Sequence, residues 1–403
     1  MEKTEVIVVG GGISGIAFAW KAARAGRAVL LLESGNRFGG CLHSHRTADG
    51  YWYELGAHTT YNSYGGFLDI AAGGGAAATI VQRGPARAQF GYLRDNAYEW
   101  LSPPALLRRF NWLEIVSSAP FAILRGKKGR TMGEYYGGLL GSGNYERFLR
   151  PFLAAVPSQD ADGFPADGPG SLFKKRPRRK EFPRSYGFEG GLQSVCEAAL
   201  RTPGLRVETG VDVARIAPAD GGFVVTAADG RTFKAPLTVV ALPIDAAATV
   251  LRRDFPDLGQ ALDRVKTVTI DSLGLVLPRE RCWMPEAAFV IPARDIFCSA
   301  VTRDPFPDPK HRAFTFHFKS GHRREEHLRR MSEVLRVPVP ELGEPETRRT
   351  LLPAPALGHD RIVADLDRLL AGRRLALTGN YFQGLAIEDC VLRSFEEFAR
   401  IGP

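Results

Sequence analysis

The chain has 403 residues, 44% hydrophobic and 24% charged, with a formal net charge of +9. That length exceeds one ordinary core and fits a large composite domain or two domains, and the composition excludes a disordered or fibrous chain. Five cysteines, odd in number, widely spaced and without a C-x-x-C pair, exclude a disulfide framework and a zinc ribbon, and no apolar run is long enough to span a bilayer. The first residues run almost directly into a strand pattern with no cationic leader, so a protein of the reducing cytoplasm is expected. No pair among the eight histidines has a familiar metal-ligand spacing, so no metal site is expected. A basic balance admits nucleic acid, an anionic membrane surface or an anionic small molecule. No nucleic-acid motif accompanies it, and no nucleic-acid partner is expected.

In chain order, Val6 to Val9 is a short β-branched run suited to a buried parallel strand. Gly10, Gly12 and Gly15 follow in G-x-G-x-x-G spacing, then a helical pattern from about Ile13 to Ala25, stopped by Gly26. A second strand, Ala28 to Leu32, ends in Glu33. Each part has a chemical reason. Gly10 permits a tight turn, Gly12 lets backbone approach a pyrophosphate, and Gly15 lets helix and strand pack closely. The helix N-terminus, at Ser14, offers free amides to phosphate, and Glu33 can accept hydrogen bonds from ribose hydroxyls. Next come R-F-G-G at Arg37 to Gly40 and DGYWYELGAHTTY at 49–61, which reads as a hairpin turning at Asp49-Gly50.

The middle of the chain is less specific. AAGGGAAA at 71–78 reads as a weak helix or a loop. Residues 100–130 form an aromatic, basic, proline-punctuated amphipathic stretch. Trp112, Leu113, Phe121, Ile123 and Leu124 fit a subdomain core, a greasy channel or a membrane interface, with Arg108, Arg109, Arg125, Lys127, Lys128 and Arg130 able to face anionic lipid. KKRPRRK at 174–180 reads as a solvated loop, with contact to an anionic membrane as the alternative. Residues 205–243 read as a β-meander turning at Asp220-Gly221 and Asp229-Gly230, and 262–330 as strands (Thr267 to Leu277, Ala313 to Phe318) that would line an open ligand face. At the end, the strand Leu375 to Thr378 meets Gly379-Asn380, a loop with Gly384, and a helix opening near Ile387. Glu388 and Asp389 suit the first turn as caps.

Together these segments resemble the FAD-dependent amine oxidase and phytoene desaturase superfamily. The resemblance covers both ends and one middle block, in the family's order. It implies an α/β chain: a Rossmann-type, glutathione-reductase-like FAD-binding domain (1–75, 185–250 and 365–403) with an inserted α+β substrate domain (76–184 and 251–364). The implied cofactor contacts are Gly10, Gly12, Ser14, Gly15, Glu33, Arg37, Gly39, Gly40, Gly56 beside the flavin ring, Val213 toward adenine, and Gly379, Asn380 and Ile387 at the flavin's pyrimidine side. Cys41 stands where many members carry Arg. No cysteine lies at 378–381, so non-covalent FAD is expected.

Within the superfamily the segments RFGG, GYWYELG, TMGEYYGGLLGSGNYERFLRPFLAAV, the stretch ending at Gly358-His359, and GNYFQGLAIEDC are most similar to the protoporphyrinogen oxidase family. Ala57-His58 departs from that family's usual Pro-Arg. The resemblance implies hydride transfer from a small hydrophobic or porphyrin-like substrate to flavin, with oxygen or a quinone as final acceptor. His58 is the candidate polar residue at the reacting face, or else a structural histidine. Amine oxidases and carotenoid or squalene-type desaturases are alternatives. So are a non-redox flavoprotein mutase and a lipid-anchor-binding protein, although the intact glycine motif and Glu33 argue against the last. Peripheral contact with the inner face of a membrane is a further expectation.

Overall fold

The computed structural model describes residues 2–402. The chain opens with strand β1 (Val6–Val9), helix α1 (Ile13–Arg24), β2 (Val29–Leu32), β3 (Trp52–Glu54) and α2 (Gly65–Gly73). The middle supplies β4 (Phe90–Arg94), β5 (Ala97–Leu101), α3 (Trp112–Arg125), β6 (Leu205–Glu208), β7 (Val213–Ala219) and β8 (Leu237–Val240). Then follow β9 (Thr267–Pro278), β10 (Phe289–Pro292), β11 (Phe297–Thr302), β12 (His311–Lys319), α4 (Arg324–Leu335), β13 (Glu346–Pro353), β14 (Leu375–Leu377) and α5 (Ile387–Ile401).

A five-stranded parallel sheet has the order β6-β2-β1-β8-β14. Strands β1, β2, β8 and β14 are buried along their whole length because both faces are covered, whereas the edge strand β6 carries the exposed Arg206. Strand periodicity sends Val6 and Val8 into a core with α1 and α5, where they meet Ile16, Ile387 and Val391. Ile7 and Val9 enter the opposite core with Val225, Phe233 and Leu251. The β1-to-α1 turn needs glycine at Gly10, which sits at φ +107°, and a Cβ there would lie 2.4 Å from the Ala241 carbonyl oxygen.

The second sheet has seven strands in the order β13-β9-β12-β11-β10-β4-β5, antiparallel except between β10 and β4. It draws β4 and β5 from residues 90–101 and the rest from residues 267–353. One face carries Leu273, Leu275, Phe314, Phe316 and Phe318, packed on Met331, Val334 and Leu335 of α4. The other face meets β3: Tyr53 Oη donates to the Gly274 carbonyl at 3.2 Å, and Thr315 Oγ1 donates to the Glu54 carbonyl at 2.7 Å.

Several local expectations change. Segment 71–78 divides into the end of α2 and a 3-10 turn at Ala76–Thr79. The basic run is not simply solvated. Lys174 Nζ donates to the Gln383 carbonyl and, at 2.9 Å, to Asp389, while Arg176 reaches Asp389 at 2.6 Å. A buried carboxylate at the far end of the chain recruits the cations, since an unpaired buried charge is costly. Asp389 is thus an anchor for that loop. Glu388 does not cap α5 either: its carboxylate accepts from the amides of Gly66 and Phe67 at 2.8 and 3.0 Å and so caps α2.

Candidate active site

The glycine motif builds a cradle between two loops. The Gly39 amide donates to the Gly11 carbonyl at 2.8 Å, and Gly12 and Gly39 pair as an isolated parallel bridge. A Cβ on Gly40 would stand 2.8 Å from Gly12 Cα, and one on Gly15 would stand 2.0 Å from the Gly10 carbonyl oxygen. Side chains are excluded at both positions. No side chain caps α1, so its N-terminal amides, around Ser14, face the cradle uncapped. Glu33 closes one end: its carboxylate accepts from Gly11 N at 2.7 Å and Gly35 N at 2.8 Å. Val211 N donates to the Glu33 carbonyl at 2.9 Å, which brings buried Val213 in β7 close behind it.

Arg37 braces the second loop. Its guanidinium donates to the carbonyls of Phe38, Leu42 and Gly40 and to Gln193 Oε1. Gly56 crosses beneath that loop, where a Cβ would lie 2.1 Å from the Cys41 carbonyl oxygen. The C-terminal motif is stitched to the fingerprint. Thr378 Oγ1 lies 2.7 Å from Ser394 Oγ, and Ser394 Oγ donates to the Ser14 carbonyl at 2.8 Å. Gly379 is buried, Asn380 half-buried, and Ile387 opens α5, whose N-terminus also lacks a side-chain cap.

His58 lies two residues after Gly56. Its Nδ1 lies 3.1 Å from the Gly56 carbonyl, and burial pushes its pKa down to about 4. Its ring stacks on His317 of β12 with centroids 6.1 Å apart. His58 lines a cavity with Trp52, Glu54, Arg83, Arg303 and Phe306. Arg83 is 93% buried (7% exposed), donates to Thr59 Oγ1 at 3.0 Å, and leaves its Nε without a partner. Arg303 stacks over Tyr51 and Trp52 at 4.5 and 4.6 Å and also has an unpartnered Nε. Trp52, Arg303 and Phe306 are shared with an open groove of about 780 Å³ that runs out past His311 and Lys310.

Two family models match the chain: an NAD(P)-binding Rossmann-like domain over residues 8–70, and flavin containing amine oxidoreductase over residues 139–289. These matches support the FAD-dependent amine oxidase superfamily for this chain. Its cofactor is FAD, and the cradle fits that group: uncapped amides, glycines where a Cβ has no room, and a carboxylate at the end of β2. The 15-cis-phytoene desaturase of Narcissus pseudonarcissus is 42% identical over 60 residues, which is 15% of this chain and 10% of that protein. A candidate protoporphyrinogen oxidase from Exiguobacterium sp. 255-15 has the same fold, with TM-score 0.75 and 19% identity over 98% of this chain and 97% of that one. Cyclohexylamine oxidase from Brevibacterium oxydans IH-35A follows with TM-score 0.70 and 16% identity over 99% and 98% of the two chains.

The structure thus gathers Gly10, Gly12, Ser14, Gly15, Glu33, Arg37, Gly39 and Gly40 into one cradle, with Gly379 and Asn380 tied to it through Thr378 and Ser394. His58 stands beside Gly56. Sequence reasoning missed Arg83, Arg303 and His317. Arg83 and Arg303 are single cations in unremarkable turns and carry no local signal. His317 had one: in AFTFHF the polar Thr315 and His317 alternate with Phe314, Phe316 and Phe318, marking a second, polar face of the strand.

Proposed function

We propose that this chain is an FAD-dependent oxidoreductase that removes hydride from a protoporphyrinogen-like substrate. In this reading 1–75, 185–250 and 365–403 hold the cofactor, and 76–184 and 251–364 shape the substrate space. Bound FAD would supply the two-electron acceptor, with oxygen or a quinone taking the electrons onward. Gly12 and the amides around Ser14 would hold the pyrophosphate, Glu33 the ribose, Val213 the adenine, and Gly56, Gly379, Asn380 and Ile387 the flavin end. Arg37 would act by holding the second loop in place.

The observation that carries the substrate class is Arg83. The cation of a residue 7% exposed, with no carboxylate partner among the described residues and an unpartnered Nε, is costly unless a ligand anion completes it. It lies on a small cavity of about 20 Å³, lined by His58 and aromatic Trp52 and Phe306, that shares Trp52 and Phe306 with the larger open groove. That combination suits a flat aromatic substrate bearing a carboxylate, and suits a simple amine or a polyene less well. His58, held neutral by burial, would orient the substrate by hydrogen bonding.

Anaerobic titration of the yellow protein with protoporphyrinogen tests this. Bleaching of the flavin band with appearance of porphyrin is expected, and Arg83→Met should weaken apparent substrate affinity about 10-fold or more. A yellow protein that does not bleach rules that substrate out and turns attention to amines and polyisoprenoids. A flavin that must be reduced for turnover without net oxidation would indicate a mutase.

We also propose that α3 rests on an anionic membrane surface. Among the described residues no helix is long and apolar enough to cross a membrane. Yet α3 exposes Trp112, Leu113, Val116, Phe121, Ile123 and Leu124. Of its residues only Ala122 is buried. The basic residues Arg108, Arg109, Arg125, Lys127, Lys128 and Arg130 flank it, the pattern of a helix lying in an anionic interface.

A further inference from the structure

The face of the seven-stranded sheet that looks toward the cofactor domain is polar along one line. In-register partners across four strands are Arg348 of β13, Ser272 of β9, His317 of β12 and Ser299 of β11. In-register neighbours project from the same face, so these four side chains form one continuous row. Ser272, His317 and Ser299 are 4%, 4% and 2% exposed. Ser272 Oγ lies 2.8 Å from His317 Nδ1. The rest of the row is unsatisfied: Ser299 Oγ and Arg348 Nη1 are buried without a hydrogen-bond partner, as is Nδ1 of nearby His43. His317 in turn stacks on His58 at 6.1 Å.

A sheet that packs its other face with phenylalanine and leucine has no packing need for such a row. Buried donors and acceptors left open are normally filled, and two open groups on the row, with a third on His43 beside it, point to a ligand that fills them. A hydrocarbon cannot do so, since burying these groups against it leaves every one of them unpaired.

We propose that the Arg348–Ser272–His317–Ser299 row is a specificity element that selects substrates bearing an N–H group over hydrocarbons of the same shape, with His317 as its contact. The proposal rests on the reading that this face meets the substrate. The 2.8 Å Ser272–His317 contact fits either tautomer, and the proposal takes the one in which Nδ1–H donates to Ser272 Oγ, which leaves Nε2 to accept from the ligand. Burial and the neighbouring His58 push His317 down to about 3, so the ring stays neutral and able to accept near neutral pH. The row therefore favours pyrroles and amines and works against the polyenes handled by desaturases. His317 orients the substrate and takes no part in the electron transfer.

Two probes of matched shape separate the cases: dipyrromethane, with two pyrrole N–H groups, and diphenylmethane, with none. Calorimetric titration of the oxidised, FAD-loaded full chain reads binding without turnover. This measurement can succeed even where protoporphyrinogen fails to bleach the flavin, so the two readings fail separately. Dipyrromethane is expected to bind at least ~10-fold tighter than diphenylmethane, and His317→Leu to bring the ratio near one. His317→Gln, which places an acceptor near Nε2, should restore part of the preference. Ser272→Ala keeps the ring but frees its tautomer and should also lower the ratio, which keeps the test open if His317→Leu does not fold. Absence of dipyrromethane binding, equal binding of the two probes, or an unchanged ratio in folded His317→Leu or Ser272→Ala overturns the proposal.

Discussion

Gly12→Ala and Gly15→Ala add one methyl each, three residues apart, and should damage different properties. A Cβ on Gly15 would sit 2.0 Å from the Gly10 carbonyl oxygen and 3.1 Å from Ala241 Cβ, both parts of the rigid core between α1 and the parallel sheet. Ordinary contact needs roughly 3.5 Å, so α1 must retreat by more than ~1 Å. Such overpacking costs about 1–3 kcal/mol, and at about 2–4 °C or less per kcal/mol for a large chain the apoprotein melts several degrees lower. At Gly12 the geometry is opposite. Its backbone is extended, φ −74° and ψ 172°, and the nearest atom to a Cβ there is Gly40 Cα at 3.7 Å. Alanine fits that conformation, and a less flexible unfolded chain offers up to about 0.4–1 kcal/mol of stabilisation. The same methyl would fill the space that a pyrophosphate must enter, so FAD affinity should fall ~10- to 100-fold, roughly 1.4–2.8 kcal/mol. Melting curves of the two stripped apoproteins, with FAD titration by fluorescence quenching, read both effects. If Gly12→Ala binds FAD as the wild type does, the phosphate does not approach Gly12. If the Gly15→Ala apoprotein melts as the wild type does, the packing argument fails.

Glu54 gives a pH-dependent case. Burial outweighs its hydrogen bonds from Leu192 N and Ser44 and pushes its pKa from 4.5 up to about 7. The folded state therefore binds a proton that the unfolded state has released, so Glu54 costs stability above pH 7 and none below pH 4.5. Glu54→Gln keeps an acceptor for Leu192 N and should stabilise the protein by up to roughly 3 kcal/mol near pH 8 and by little near pH 5. Urea unfolding at both pH values decides it, and an equal effect at both contradicts the assignment. For α3, Leu113→Glu with Leu124→Glu should lower binding to phosphatidylglycerol vesicles by about two orders of magnitude or more, at ~2 kcal/mol per exposed leucine buried. Unchanged vesicle sedimentation would count against membrane docking.

The nucleotide cradle was legible in the sequence because its causes are local. A turn at positive φ, a close approach and a helix start each demand a residue type at a fixed spacing, so Gly10, Gly12, Gly15 and Glu33 announce themselves. The strand read at Ala313 to Phe318 was legible for the same reason, and the structure extends it to His311–Lys319. Roles set by distant partners were not. Glu388 and Asp389 read as caps of their own helix, whereas Glu388 caps α2 and Asp389 holds Lys174 and Arg176. The basic run read as solvated because its counter-charge lies over two hundred residues away in sequence.

The sequence by itself therefore determined the β1-α1-β2 unit, the dinucleotide turn and the amphipathic basic stretch that became α3, since short-range sterics and periodicity suffice for each, whereas β6 and β8, read within one meander, join the parallel sheet through the fold. Only the tertiary structure decided which side chains gather around His58. Arg83, Arg303, His58 and His317 come from four separate segments, and Arg348, Ser272 and Ser299 line up only through strand register. Hydrogen-bond satisfaction is a property of the folded surroundings. No sequence window can show that the Arg83 Nε and the Ser299 hydroxyl are buried without a partner.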